Sequence, residues 1–120
     1  RLCDLGIKKS EVINKLDYFK IGNLYDQTIH NLSLGQKRKV ALSKLLFSNA
    51  KIWILDEPTT SLDNKSENQF KELVYEHQKS HGSAIITTHI ELNLKSFLTI
   101  NLDDLSASKN KVDPEKWENL

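Results

Sequence analysis

A chain of 120 residues is long enough for one domain of ordinary size with a modest hydrophobic core. Charged residues make up 28% of it and the net charge is +1, so bulk electrostatics favour neither nucleic acid nor a strongly acidic partner. The single cysteine, Cys3, excludes an internal disulfide, and no apolar run approaches the ~20 residues of a membrane-spanning helix. With no recognisable leader and no methionine, the sequence is interpreted as a piece of a longer protein.

Two helices are predicted in the amino-terminal half. Ser10 is the expected N-cap of the first, because apolar residues follow it at helical spacing: Val12, Ile13, Leu16 and Phe19. Gly22 and Asn23 are expected to end this helix, and residues 24–31 are predicted to be an irregular connection. A second helix of about three turns is predicted within residues 35–48, with an inner face of Val40, Ala41, Leu45 and Phe47.

Short apolar segments in the second half are predicted to be buried strands. Residues 51–55, "KIWIL", are too few for a helix and rich in branched and aromatic side chains, and residues 83–88 resemble them. Between them, Asp63 or Asn64 is expected to cap a long helix that Gly82 stops and whose inner face carries Phe70, Leu73, Val74 and His77. This order predicts a crossover between parallel strands. A third strand is expected at residues 97–102, before a polar tail.

Polar side chains follow both of the first two predicted strands. Asp56 and Glu57 end the first strand, and Thr87, Thr88 and His89 end the second. In parallel sheets, ligands bind outside the carboxyl ends of the strands. If these strands are neighbours, two carboxylates and an imidazole converge at one edge of the sheet.

A candidate phosphate site lies earlier, in the stretch "NLSLGQKRKV". Ser33 and Gly35 are predicted to precede a helix whose first turn holds three cations, Lys37, Arg38 and Lys39. Cations oppose the macrodipole at that end of a helix, whereas an anion bound by the first-turn amides would make them favourable. The alternative is a capped helix start with basic side chains in water. This stretch alone leaves both interpretations open.

Together, these stretches resemble the ATP-binding subunit of ABC transporters. "LSLGQ" at residues 32–36 is similar to the signature motif, "IWILDEP" at 52–58 to Walker B, "SLD" at 61–63 to the D-loop, and Thr88-His89 to the switch histidine. The resemblance implies an α/β fold of the P-loop NTPase type, present in part. Residues 1–50 would be the helical subdomain and signature helix, 51–105 the sheet region from Walker B to the switch histidine, and 106–120 a polar tail.

The resemblance also implies a role for each motif residue. Asp56 would hold Mg²⁺ and Glu57 would act as general base on the attacking water, with His89 contacting the γ-phosphate of ATP. Asp63 would reach across the interface of a head-to-tail dimer. Contacts to ATP bound by the opposite subunit would come from the signature residues Ser33, Gly35 and Gln36.

The sequence departs from the family pattern in two respects. Leu34 replaces a small residue in the signature, and none of the four glycines is placed for the phosphate loop G-x-x-x-x-G-K-[ST]. We therefore interpret the chain as the carboxyl-terminal part of an ABC ATPase. These 120 residues alone are expected neither to bind MgATP nor to hydrolyse it.

Trp53, the pair Thr87-Thr88 and the end of the chain soon after residue 102 resemble one subfamily, the small haem-exporter ATPases of cytochrome c maturation. This implies a transmembrane permease as partner, no nucleic acid, and a peripheral position on the cytoplasmic face of the inner membrane or the matrix side of the mitochondrial one. Two alternatives remain open: a soluble ABC-type ATPase acting on nucleic acid or the ribosome, and a non-hydrolysing remnant.

Overall fold

The computed structural model describes residues 8–106, so Cys3 and most of the predicted polar tail lie outside it. Within this part of the chain, helices alternate with two short strands. In chain order the elements are α1 (Lys9–Asp17), α2 (Leu34–Ser43), β1 (Ile52–Asp56), α3 (Asn64–Lys79), β2 (Ser83–Thr87) and α4 (Leu102–Ser106). Short 3₁₀ turns occupy Gly22–Leu24, Ile29–Asn31 and Lys44–Phe47. No helix in this part of the chain is long and apolar enough to span a membrane.

The two strands form a parallel pair. Their register matches Ile52 with Ser83 and Asp56 with Thr87, so both strands end at the same edge of the sheet. The helix α3 connects them, as a parallel connection requires. The predicted α/β class, with parallel strands joined by a crossover helix, is confirmed.

The third predicted strand is wrong. Residues 97–101 have no regular structure, α4 begins at Leu102, and the sheet has two strands within residues 8–106. Leu98 and Ile100 are 86% and 60% exposed. An apolar segment becomes a strand only when another strand accepts its backbone hydrogen bonds, and the described chain supplies no such neighbour here.

Helices and one face of the sheet enclose the hydrophobic core. The buried residues of this cluster are Val12, Leu16, Phe19, Ile21, Leu42, Trp53, Phe70, Val74 and Leu92. Polar contacts also join α1 to α3: the Tyr18 hydroxyl donates to the Gln69 carbonyl at 2.9 Å, and the Gln69 side-chain amide donates to the Tyr18 carbonyl. Burial, with Glu72 and Glu76 nearby, raises the pKa of Tyr18.

The other face of the sheet is open, which corrects the prediction of fully buried strands. Trp53 points into the core, whereas Ile52, Ile54 and Ile85 are 62%, 78% and 60% exposed. Successive side chains of a strand point to opposite faces. The helices within residues 8–106 cover only one of the two faces of the sheet.

Two sequence-based assignments of helix α1 and α2 residues were wrong. The N-cap of α1 is Lys8, which makes no side-chain cap, and Ser10 lies inside the first turn. Of the predicted inner face, Val40, Leu45 and Phe47 pack against the core, whereas Ala41 is exposed and the adjacent Leu42 is buried instead.

Helix α1 ends in a Schellman motif instead of at Gly22. The Ile21 amide donates to the Leu16 carbonyl at 3.2 Å, and the Lys20 amide to the Asp17 carbonyl at 3.0 Å. Lys20 occupies the left-handed position with φ of 58°. Leu16 and Ile21 are both buried in the same hydrophobic cluster, and an apolar contact between these two positions is typical of the motif.

Helix α3 ends in a related way. Asp63 is its N-cap, one of the two residues predicted. At its other end, the Gly82 amide donates to the His77 carbonyl at 2.9 Å, and His81 has a φ of 62°. The left-handed residue is therefore His81, and Gly82 follows it. Glycine is required at position 82 for lack of space, not for a left-handed conformation. A Cβ at this position would come within 2.2 Å of the His77 ring, which stacks on Trp53 with centroids 3.7 Å apart.

Replacing Lys20 with glycine should stabilise the protein by up to about 1 kcal/mol. A non-glycine residue pays about 1–2 kcal/mol in the left-handed region, and the greater unfolded-state entropy of glycine offsets part of that gain. Urea unfolding measures the change. As a control, Asn14→Gly puts glycine at an exposed position inside α1, where it should destabilise. A lower stability for Lys20→Gly would contradict the assigned motif.

Candidate functional site

The parallel pairing of β1 and β2 brings the predicted polar residues of the strand ends together. The Thr87 hydroxyl donates to Oδ1 of Asp56, the last residue of β1. One residue further, the Glu57 amide donates to the Thr87 carbonyl at 3.0 Å and extends the ladder past the end of the strand. The carboxylates of Asp56 and Glu57 therefore lie at the edge predicted for ligand binding.

Glu57 and His89 form a close acid–imidazole pair at this edge. Glu57 Oε1 lies 3.5 Å from His89 Nε2, and the Thr60 hydroxyl lies 3.4 Å from Glu57 Oε2. The Glu57 side chain is 27% exposed, whereas that of His89 is 95% exposed. The arrangement places a partly shielded proton acceptor beside an imidazole that faces solvent.

The backbone at Glu57 is unusual. Its φ of 44° lies in the left-handed region, where a residue with a Cβ costs about 1–3 kcal/mol. Such conformations persist only where the surrounding structure holds them, and they occur at active sites as well as at helix ends such as those of Lys20 and His81. The ladder bond from the Glu57 amide to the Thr87 carbonyl is one such restraint.

The residues at this edge suit a magnesium ion that also binds phosphate. Carboxylate and hydroxyl oxygens, as at Asp56 and Thr87, are ligands that Mg²⁺ accepts. Residues 8–106 contain no group of three or more His, Cys, Asp or Glu side chains arranged for a metal. Protein sites for Mg²⁺ commonly use one or two carboxylates and take the remaining ligands from substrate phosphates and water. Asp56 fits that kind of site.

The start of α2 is a complete capping box. The Gln36 amide donates to Ser33 Oγ at 3.2 Å, and the Ser33 amide donates to Gln36 Oε1 at 2.8 Å. Gly35 lies inside the first turn, not before it as predicted, and Arg38 and Lys39 consequently lie beyond that turn. These two cations therefore oppose the helix macrodipole less than predicted. The Gly35 amide and the Gln36 side-chain NH₂ remain suitable donors for an anion.

Gly35 packs directly against the turn at residues 61–63. A Cβ at position 35 would lie 2.8 Å from the backbone carbonyl oxygen of Ser61, which is closer than real Cβ atoms approach. Ser61 itself has a φ of 66°. Position 35 therefore requires glycine because two backbone segments meet there.

Asp63 uses both carboxylate oxygens inside the chain. The Ser66 amide donates to Oδ1 at 2.8 Å as the cap of α3, and Lys39 Nζ donates to Oδ2 at 2.7 Å. The Lys39 hydrogen bond, with that from Ser66, lowers the pKa of Asp63 below its ordinary 3.8. Since the folded-state pKa is the lower one, this stabilisation is present above pH ~4 and is lost as the pH falls further.

The structure thus arranges the predicted site residues in two groups. Asp56, Glu57 and His89 meet at the strand ends, and Ser33, Gly35, Gln36 and Asp63 lie where α2 meets the turn at residues 61–63. Sequence reasoning missed the contacts of Thr60 and Lys39. No local signal pairs Lys39 with Asp63, because 24 residues separate them.

The chain is similar to known proteins. Residues 6–60 match a family model described as "ABC transporter". The chain is 38% identical over 100 residues to the cytochrome c biogenesis ATP-binding export protein CcmA of Roseobacter denitrificans, covering 83% of this chain and 48% of the relative. Identity to the protein of that name from Ruegeria pomeroyi is 44% over 84 residues, covering 70% and 41%. For that of Brucella melitensis it is 52% over 77 residues, covering 64% and 36%. The chain therefore spans about half the length of the curated relatives it matches, or less.

Proposed function

From the match of residues 6–60 to the ABC transporter family model and the similarity to the relatives above, we propose that the complete protein is the subunit of a transporter that binds and hydrolyses ATP. The observation that carries this proposal is the pair of Glu57 and His89, 3.5 Å apart beside Asp56 at the ends of two parallel strands. This is the edge of a parallel sheet at which ligands bind. A proton acceptor, an imidazole and a metal-binding carboxylate together suit phosphoryl transfer to water.

Each residue at the strand ends has a distinct task in this proposal. Asp56 holds Mg²⁺, which supplies charge neutralisation to the phosphates when bound. Glu57 accepts a proton from the attacking water, and the Thr60 hydroxyl helps to orient its carboxylate. His89 is exposed enough to reach a substrate, and it contacts the γ-phosphate while staying beside Glu57. Proteins catalyse phosphoryl transfer almost entirely by such positioning and electrostatic stabilisation.

The start of α2 serves a second copy of the subunit. In the proposed head-to-tail dimer, Ser33, the Gly35 amide and the Gln36 side chain contact ATP held by the opposite subunit. The capping box supports this role, because it holds the first turn of α2 in one conformation with amides directed outwards. The phosphate loop that holds ATP to its own subunit is not among these 120 residues.

We assign the transport reaction to cytochrome c biogenesis. The three relatives above carry that term and "export" in their names. The proposed cargo is haem, since c-type cytochromes are made by attaching haem to protein. The partner would be a transmembrane permease, and the subunit would lie peripherally on the cytoplasmic face of the inner membrane or on the matrix side of the mitochondrial one.

Disrupting the gene in its host should abolish mature c-type cytochromes and leave b-type cytochromes unchanged. The reason is that only c-type cytochromes need the proposed export step. Haem staining of denatured proteins separates the two classes, because only the c-type retains haem covalently. The intact gene should restore c-type cytochromes when reintroduced, and the Glu57→Gln gene should not. Normal c-type cytochromes after disruption would exclude this assignment and leave the ATPase proposal standing.

A further inference from the structure

An ion pair joins α2 to the turn that precedes α3. Lys39 Nζ lies 2.7 Å from Asp63 Oδ2, although 24 residues separate them in sequence. The Lys39 side chain is only 18% exposed, so its aliphatic part packs against protein, and that of Asp63 is 56% exposed. A half-shielded pair of this geometry is restrained and less screened by salt than one fully in water.

The same two segments touch a second time. Lys39 lies one helical turn after Gly35, and the space beside Gly35 is filled by the carbonyl of Ser61. One contact is therefore steric and the other electrostatic, and both join the first turns of α2 to residues 61–63. Two contacts at different points restrain rotation as well as translation of the turn.

We propose that Lys39 is a positioning residue that, through Asp63, holds the turn at residues 61–63 against the start of α2. The inference rests on the proposed function in one respect: it is the start of α2 that presents contacts to ATP. The turn and the helix then meet the opposite subunit as a single unit. Both oxygens of Asp63 accept hydrogen bonds within the chain, which fixes the orientation of its carboxylate relative to α2 and α3.

Hydrogen exchange in the complete protein without nucleotide tests the restraint itself. In Lys39→Met, which removes the charge and keeps an apolar stem, the Leu62 amide should exchange at least threefold faster. That amide donates to the Thr59 carbonyl at 3.1 Å within the turn, so its protection reports on the turn. The Phe19 amide, bonded to the Leu16 carbonyl at the end of α1, is the internal reference and should not change. Unchanged exchange at Leu62 would overturn the proposal.

A double-mutant cycle tests the consequence for catalysis. Lys39→Met and Asp63→Asn should each lower kcat at least tenfold, while the affinity for MgATP stays within twofold of the parental value. The reason is that a small displacement of positioned groups strongly lowers the reaction rate. Asparagine remains a good N-cap, so Asp63→Asn removes the ion pair and retains the cap of α3. The combined variant should be no slower than either single one. Lys39→Arg should restore the rate, and Lys44→Met, at an exposed lysine at the other end of α2, should leave it unchanged.

These experiments distinguish the positioning role of Lys39 from the proposed ATPase function. If Asp63→Asn is far more damaging than Lys39→Met, or if their effects multiply, Asp63 acts on another group and the positioning role is overturned. If the parent protein hydrolyses no ATP while Leu62 exchange still rises in Lys39→Met, the proposed function fails and the restraint stands.

Discussion

Replacing Glu57 with glutamine in the complete protein should slow ATP hydrolysis at least 100-fold and leave MgATP binding intact. A positioned general base contributes about 10²–10⁴ to a rate, and the amide of glutamine cannot accept the proton of water. Steady-state phosphate release gives the hydrolysis rate, and a fluorescent ATP analogue gives the affinity. We expect the loss in kcat, because the interaction matters only while the proton moves.

The local structure makes Glu57→Gln a clean substitution. The side chains have the same shape, and glutamine still offers an oxygen to the Thr60 hydroxyl. The ladder bond at position 57 comes from the backbone amide, so it remains, and so does the left-handed conformation at this residue. His89 stays within reach of the substituted side chain. A fall in rate therefore reports on proton transfer and not on a displaced strand end.

Glu72→Gln is the matched control, since Glu72 is an exposed acid on α3, away from the strand ends. It should hydrolyse ATP at the parental rate. If Glu57→Gln retains at least one third of the parental rate, Glu57 is not the base. The exposed His89 would then be the next group at this edge to test.

Local patterns were sufficient to predict much of the fold. Asp63 was expected as one of two caps of α3 because its side chain bonds an amide three residues away, which sequence spacing reveals directly. The parallel pair of strands followed from their separation by a helix. The predictions of secondary structure failed where the outcome depends on residues distant in sequence or on backbone geometry. Residues 97–101 include three large apolar side chains but pair with no strand in the described chain. The left-handed conformation of Lys20 depends on backbone geometry that composition does not specify.

The candidate site divides in the same way. The meeting of Asp56, Glu57 and His89 was predicted, because parallel strands place their carboxyl ends at one edge. The position of Gly35 against the Ser61 carbonyl was not, although the signature and D-loop motifs marked the two regions separately. Packing between two loops depends on how their supporting elements are oriented. The sequence predicts which residues belong to the site, and the fold decides which of them touch.

The Gly35→Asp homodimer should hydrolyse no measurable ATP. A side chain at position 35 has no room, because its Cβ would lie 2.8 Å from the Ser61 carbonyl oxygen and would force α2 and the turn apart. The added carboxylate also repels both that carbonyl and a γ-phosphate. Gly35→Ala introduces the steric conflict without the charge, so it should retain intermediate activity. Asn31→Asp adds a carboxylate at an exposed position before the helix and should behave as the parent.

A mixed dimer shows whether Gly35 serves its own subunit or the opposite one. One chain carries Gly35→Asp with an intact phosphate loop, and its partner carries a disabled phosphate loop with an intact Gly35. In a head-to-tail arrangement, the phosphate loop of the first chain faces Gly35 of the second chain, so one complete site remains. If the two sites of a dimer act independently, hydrolysis should recover to about half the parental rate per dimer. If Gly35 acted within its own subunit, neither chain would contain a complete site and the mixed dimer would be inactive. Normal hydrolysis by the Gly35→Asp homodimer would instead refute the assignment of residues 32–36 as the signature motif.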